Sequence, residues 1–501
     1  MHGMRSGDGR QRAGVSRSLI VAALVTCAGC FAVGPDYKAP DLVAPAEWSQ
    51  DLRAGVKATE PEEQTLATWW TTLGDPDLST LIAQAMVGNR DLKQAQARIR
   101  EARARRGIAA AGLFPSLDVT GSATATRSSE NLRSGSSGDL RVPSSEDSGF
   151  SLRRELYRTG FDASWEIDVF GGVRRSIEAA QRDLEASAAD YRDVLVSLLA
   201  EVALNYVETR TFQAQLQVVK ENLTAQAETL QLTEWRLVAG LVSDLDVEQA
   251  KANLENTRAQ LPRLRSNIEA AKNRLAILIG VCPGALESQL AVSKPIPEPP
   301  LEVAVGVPAE ALRRRPDVRR AERQLAAQTA RIGVATADLY PKFSLPGSIG
   351  LEALSTDQLF SSSSRVWSIA GSFTWTVFTG GAIRQNIEVQ NALQEQALQQ
   401  YEATILLALE EVESSLVAYA EEQDRSAILS EATQAAQRAA ALARDQYASG
   451  LIDFQTVLDA ERSVLSFQEQ LVQSRGQVAS NVISLYKALG GGWTAMTGIP
   501  P

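Results

Sequence analysis

Twice in this chain an alternating stretch of apolar and polar residues runs into a pair of glycines and straight on into a very long helical pattern. The first instance is Phe161 to Gly172, Phe-Asp-Ala-Ser-Trp-Glu-Ile-Asp-Val-Phe-Gly-Gly. Phe161, Ala163, Trp165, Ile167 and Val169 alternate with Asp162, Ser164, Glu166 and Asp168, so a strand here has one apolar and one acidic or hydroxylic face. The second is Trp367 to Gly381, ending in Val-Phe-Thr-Gly-Gly. One such segment reads as a half-buried strand of a soluble sheet. Two of them, each feeding a long helix, call for a less ordinary architecture.

The 501 residues carry a net charge of −10, which argues against nucleic acid as a partner. Residues 1–29 run against that balance, with Arg5, Arg10, Arg12 and Arg17 against Asp8. The apolar run Leu19 to Val25 follows, too short to span a bilayer as a helix, so the segment reads as an export leader. Ala28-Gly29-Cys30 sets small residues before a cysteine, the pattern of a bacterial lipobox in which Cys30 is acylated and becomes the first mature residue. Cys27 competes less well, following Thr26. With Cys27 removed, Cys282 stands alone and no disulfide framework exists. The single histidine, His2, lies in the leader. Histidine-dependent triads and histidine-ligated metals drop out, and no phosphate-binding loop stands out. No catalytic residue, cofactor or metal is expected.

Residues 30–74 read as an extended, proline-bearing segment. Asp75 caps a helix with Pro76 at its first position, and the helical pattern runs to Leu113. Residues 117–169 then form a hairpin around a polar loop from Ser128, charged as far as Leu156. Helices over 173–238 and 243–280, joined by a short turn at Ala239 to Leu241, make a coiled-coil hairpin. A proline-rich linker, 281–315, separates this unit (75–280) from a second, 316–490, with its own hairpin at 343–378; residues 491–501 are a tail. The second unit repeats the first. Gly107 to Pro115 matches Gly333 to Pro341. Gly240 matches Gly450, Val247 matches Val457, Ala250 matches Ala460 and Gly280 matches Gly490, all four at one offset.

Each of the four strands is about 10 residues long, as a tilted transmembrane strand requires. Four strands cannot close a cylinder, and an open edge in lipid costs several kcal/mol per unpaired backbone group. The chain is therefore expected to complete its sheet with further copies: eight strands from two, twelve from three.

The motifs, in order, resemble the TolC-type outer membrane factors of tripartite efflux systems, in their lipoprotein branch. They are Cys30 with Val33-Gly-Pro-Asp-Tyr37, Trp69-Trp70 with Asp75-Pro76, Ala97-Arg-Ile-Arg-Glu-Ala-Arg103, Phe114-Pro115, Asp168-Val-Phe-Gly-Gly172, Gly240-Leu-Val-Ser-Asp-Leu-Asp-Val247, Arg314-Arg-Pro-Asp-Val318, Phe378-Thr-Gly-Gly381 and Val457-Leu-Asp-Ala460. The resemblance implies an α+β membrane protein with an internal tandem repeat. Four transmembrane strands per chain would complete a trimeric twelve-stranded barrel, continued by a long helical periplasmic barrel. It implies a homotrimer in the outer membrane and contacts with lipid, a periplasmic adaptor and an inner-membrane pump; Phe31 after the lipid cysteine is compatible with outer-membrane sorting, the retention aspartate being absent there.

Such a duct needs a lumen and a gate rather than catalysis. The turns Ala239 to Asp246 and Ser449 to Asp459 lie farthest from the strands. Aligned on their glycines, Asp246 and Asp459 match the family's constricting aspartates, and Tyr447 matches a tyrosine of its latch. The family's latching arginine is Ile452 here. Asp244 and Asp453 are further gate candidates, though both read first as helix caps. Gly240, Leu241, Val242, Gly450 and Leu451 are the expected adaptor contacts. The alternative is a periplasmic coiled-coil lipoprotein, an adaptor or structural spacer with soluble hairpins.

Overall fold

The computed structural model describes residues 32–41, 45–50, 52–127, 129, 153–300 and 302–493. Cys30, Phe31, the leader and most of the first hairpin loop lie outside these residues.

The principal helices are α1 (Pro76–Gly88), α2 (Arg90–Ala111), α3 (Gly172–Val238), α4 (Asp244–Arg258), α5 (Gln260–Ile279), α6 (Pro316–Ala337), α7 (Ala382–Ala448) and α8 (Phe454–Ala488). The strands are β1 (Ser116–Arg127), β2 (Arg153–Ile167), β3 (Lys342–Ala353), β4 (Arg365–Ile369) and β5 (Ser372–Thr374). Both α3 and α7 hold 67 residues, about 100 Å of helix each. Among the described residues no helix is long and apolar enough to cross a membrane.

The chain forms two compact units. One contains the strands. Its sheet is antiparallel, in the order β1-β2-β3-β4, with β5 pairing β3 beyond β4. Among the described residues β1 and the β4–β5 segment each keep one edge unpaired. The register draws the side chains into rows. Val119, Phe161, Ile349 and Trp367 stand opposite one another across the four strands, and next to them Asp118, Asp162, Ser348 and Ser368 make a polar row. Adjacent positions point to opposite faces, so apolar and polar rows are segregated. Val119, Ile349 and Trp367 are 73%, 64% and 74% exposed, so nothing among the described residues covers the apolar face.

At the foot of the sheet the strand-to-helix transition is capped by Asp168. Its carboxylate accepts the N–H groups of Val173 (3.2 Å) and Arg174 (2.9 Å), two of the free donors at the start of α3. The N-terminal segment docks here: Val33 N–H donates to Phe170 O at 3.0 Å, and Arg175 donates to Val33 O (3.1 Å) and Asp36 Oδ1 (2.7 Å). Trp165 and Trp375 tie each hairpin to the helix before it, donating to Leu113 O (2.9 Å) and Leu339 O (3.0 Å).

The other unit holds the main core, including Trp69, Leu78, Leu81, Ile82, Leu199, Tyr206, Leu275 and Tyr486. Trp69 stacks on Tyr486 at 5.5 Å. The linker is woven in through a parallel pairing of Val56–Lys57 with Val303–Ala304. At the crossing of α1 and α5 the backbones touch. A Cβ on Gly88 would lie 1.9 Å from Ile279 O, so only glycine permits this approach.

The structure corrects four expectations of detail. The helix expected from Pro76 to Leu113 breaks at Asn89, whose ψ of 136° is extended; its Oδ1 caps Leu92 N–H and its Nδ2 donates to Leu278 O, so a tertiary contact rewards the break. The helix expected over 243–280 is interrupted at Ala259, because Pro262 has no N–H to return to Arg258 O. Residues 153–156, expected in the loop, belong to β2, since the ladder continues to Arg127 opposite Arg153. The strand expected from Trp367 to Val377 is split at Ala370 and Gly371 and ends at Thr374. Ala370 N–H donates to Pro346 O at 3.0 Å, and Pro346 has no N–H to complete the ladder.

Candidate functional site

The two interhelical turns close in the same way. Gly240 has φ 70° and Gly450 has φ 75°, in the left-handed region where a side chain is strained. Leu241 N–H donates to Arg236 O at 2.8 Å and Leu451 N–H to Gln446 O at 2.9 Å, the long bond of a Schellman cap. The leucines that follow are thrown outward: Leu241 is 65% and Leu451 76% exposed. Trp235, Val238 and Leu245 are exposed beside the first turn, whereas Val242 turns inward and packs against Tyr447 and its neighbours.

The aspartates divide by what they bind. Asp246 accepts both Ser243 N–H (2.9 Å) and Ser243 Oγ–H (3.0 Å) at the start of α4. Asp453 accepts Thr456 N–H (3.0 Å) and Thr456 Oγ1–H (2.6 Å) at the start of α8, and these bonds hold its carboxyl below the usual range. The helix-start role thus falls to Asp246 and Asp453, while Asp244 is exposed in the first turn of α4. Asp459, also exposed, accepts the Gln455 amide at 2.9 Å.

Tyr447 is only 2% exposed and packs with Phe454, Val457, Leu458, Ala443 and Ala250. Its ring lies 5.7 Å from that of Phe454 and 4.6 Å beneath the guanidinium of Arg236. The same guanidinium donates to the carbonyls of Tyr447 and Ala448 at the end of α7. The last turn of α3 therefore grips the last turn of α7 with one cation, where free carbonyls and the negative end of the helix dipole favour it. Arg236 is the residue that reading the sequence missed. The repeat expected from the sequence aligns it with Gln446, and its position in a C-terminal helical turn was the available signal. Among the described residues no group of three or more histidine, cysteine, aspartate or glutamate side chains could hold a metal.

Residues 81–281 and 307–491 match the family described as Outer membrane efflux protein. The chain belongs to that family. It is 32% identical over 483 residues to the solvent efflux pump outer membrane protein SrpC of Pseudomonas putida, covering 95% of this chain and 98% of SrpC. It is 30% identical over 465 residues to the cation efflux system protein CusC of Escherichia coli, covering 93% and 96%. The solved outer-membrane channel OprN superimposes with a TM-score of 0.82 at 37% identity, covering 92% of this chain and 99% of OprN. The adaptor-or-spacer alternative falls with this membership: the protein is an outer membrane efflux channel with a long helical part.

Proposed function

We propose that this chain is one third of a passive export duct. Three copies, each contributing its open four-stranded sheet, would close a twelve-stranded barrel in the bacterial outer membrane. The helices would continue it as a tunnel through the periplasm, and the tandem repeat would supply its near-regular wall. The observation that carries the reading is the sheet itself, with both edges unpaired among the described residues and an apolar row exposed across its strands. In lipid an unpaired edge is untenable, and further copies of the same edges remove it. Exposed Val389, Leu406, Leu407 and Ile428 on α7 offer apolar surface for neighbouring helices.

In this reading Cys30 carries the acyl anchor. Asp246 and Asp459, with Asp244 and Asp453, ring the periplasmic end and favour cations by crowding like charges. Tyr447 and Arg236 hold the two hairpins of each chain together. Gly240, Leu241, Gly450 and Leu451 receive a periplasmic adaptor, with Val242 packed inward beneath them, and the adaptor couples the duct to an inner-membrane pump. The domains proposed are a leader (1–29), an extended segment (30–74), two repeats (75–280 and 316–490), a linker (281–315) and a tail (491–501). The duct performs no catalysis, and its cargo is selected elsewhere.

The test is the oligomeric mass in detergent together with single-channel conductance in a planar bilayer. A trimer with small, cation-selective openings supports the duct. A monomer that stays soluble without acyl chains and conducts nothing overturns it.

A further inference from the structure

Glu461 lies on α8, about two turns from its start, and is 3% exposed. Its Oε1 accepts the Thr229 hydroxyl of α3 (2.5 Å) and the Arg444 Nε–H of α7 (3.1 Å). One buried carboxylate therefore joins three helices just behind the turns, and Arg444 sits three residues before Tyr447 on the same side of α7. The ion pair is lopsided: the Arg444 side chain is 36% exposed, that of Glu461 3%. Burial pushes the Glu461 carboxyl above the ordinary range, and the bonds from Thr229 and Arg444 offset this only in part. Among the described residues Arg444 is the charged group that acts on it, while α4 presents the uncharged Asn253 to the neighbouring Arg462 at 3.2 Å.

The seam between α3 and α8 holds a second feature. Asn222 Nδ2 donates to Gln468 Oε1 at 2.6 Å, so Asn222–Gln468 and Thr229–Glu461 are two bonded rungs, two turns apart on each helix. Between them on the same face of α3 stands Gln226, 3% exposed, with neither its amide oxygen nor its nitrogen partnered among the described residues. A buried amide without partners costs about 1–3 kcal/mol, so it is not packing filler. Sliding α8 along α3 by about one turn, roughly 5 Å, would bring Gln226 opposite one of the acceptors.

We propose that Glu461 is a proton-sensitive lock on the tip: neutral, it holds α3, α7 and α8 in the arrangement seen here, and charged, it favours a second register in which Gln226 takes up a bond and the tip opens. The proposal rests on the duct reading above. A carboxyl raised by burial stabilises the closed arrangement fully below its ordinary titration range, and that stabilisation is lost as pH rises through the raised value. The open fraction should therefore rise with pH in that window, by at most about tenfold per unit for each titrating chain.

The experiment follows the open fraction of the full-length protein in a planar bilayer from acid to neutral pH. Glu461→Gln keeps the shape and the acceptor for Thr229 but cannot ionise; it should abolish the pH response and stay at the wild-type acid value. Gln226→Leu loses no partner in the closed form; it should lower the open fraction several-fold at neutral pH and leave the acid value unchanged. A pH response unchanged in both variants overturns the lock while leaving the duct intact. A wild-type protein that conducts at no pH overturns the duct reading and the lock with it.

Discussion

Removing Arg236 isolates the contact that joins the ends of the two helical hairpins at the turns, where α3 meets the last turn of α7. Its guanidinium lies 4.6 Å from the Tyr447 ring centroid, a contact worth about 0.5–1 kcal/mol at a partly exposed site. Its charged bonds to the carbonyls of Tyr447 and Ala448 share one nitrogen and together add about 1.5 kcal/mol. Its Nε, buried without a partner among the described residues, takes back part of that. The net is about 2 kcal/mol, or roughly thirty-fold in an equilibrium between gripped and released tips. Arg236→Ala should raise the open fraction by about that factor in planar-bilayer recordings at constant pH, with an unchanged helical melting profile. Arg236→Lys keeps a cation for the carbonyls but not the flat stack on Tyr447, and should show an intermediate rise of about fivefold. An Arg236→Ala channel whose open fraction stays within twofold of wild type refutes the reasoning, since the grip would then persist unchanged through opening.

Three further outcomes are expected. Asp246→Ala combined with Asp459→Ala should raise single-channel conductance and weaken block by divalent cations; Asp246→Ala alone should also cost about 1 kcal/mol at the start of α4, read by thermal melting. Gly88→Ala would place a methyl 1.9 Å from Ile279 O, where backbone meets backbone, and should destabilise the protein by about 3 kcal/mol despite alanine's better helix propensity; a raised melting temperature would contradict the crossing. Val119→Arg, in the middle of the exposed apolar row, should cost about 2–4 kcal/mol in lipid and deplete the oligomer from the membrane fraction, and normal insertion would show that this face does not meet lipid.

Much of the local structure was legible because its causes are local. Alternation at Phe161 to Ile167 and at Leu117 to Thr126 marks strands. Gly240 and Gly450 mark the turns, since each must adopt a positive φ that costs other residues. Asp75 ahead of Pro76 marks a helix start and does cap it, accepting Asp77 N–H at 2.8 Å. The aspartates proposed for the gate were legible as acids near helix starts, but not by their bonding: Asp246, rather than Asp244, turns back onto Ser243.

What composition and spacing left open was decided between distant segments. Asn89 breaks a helix because Leu278 O lies across from it, and no local pattern announces that partner. The fourth strand breaks where Pro346, on another strand, cannot donate. Arg236 reads as an ordinary charge in a helical turn until the end of α7, far along the chain, is packed beneath it. By itself the sequence determined which stretches are strands, helices and turns, and where capping residues and glycines start or stop them, because caps, glycines and periodicity act within a few residues. Only the tertiary structure decided which of those ends meet, because register and side-chain partners are set by backbones that approach across hundreds of residues of chain.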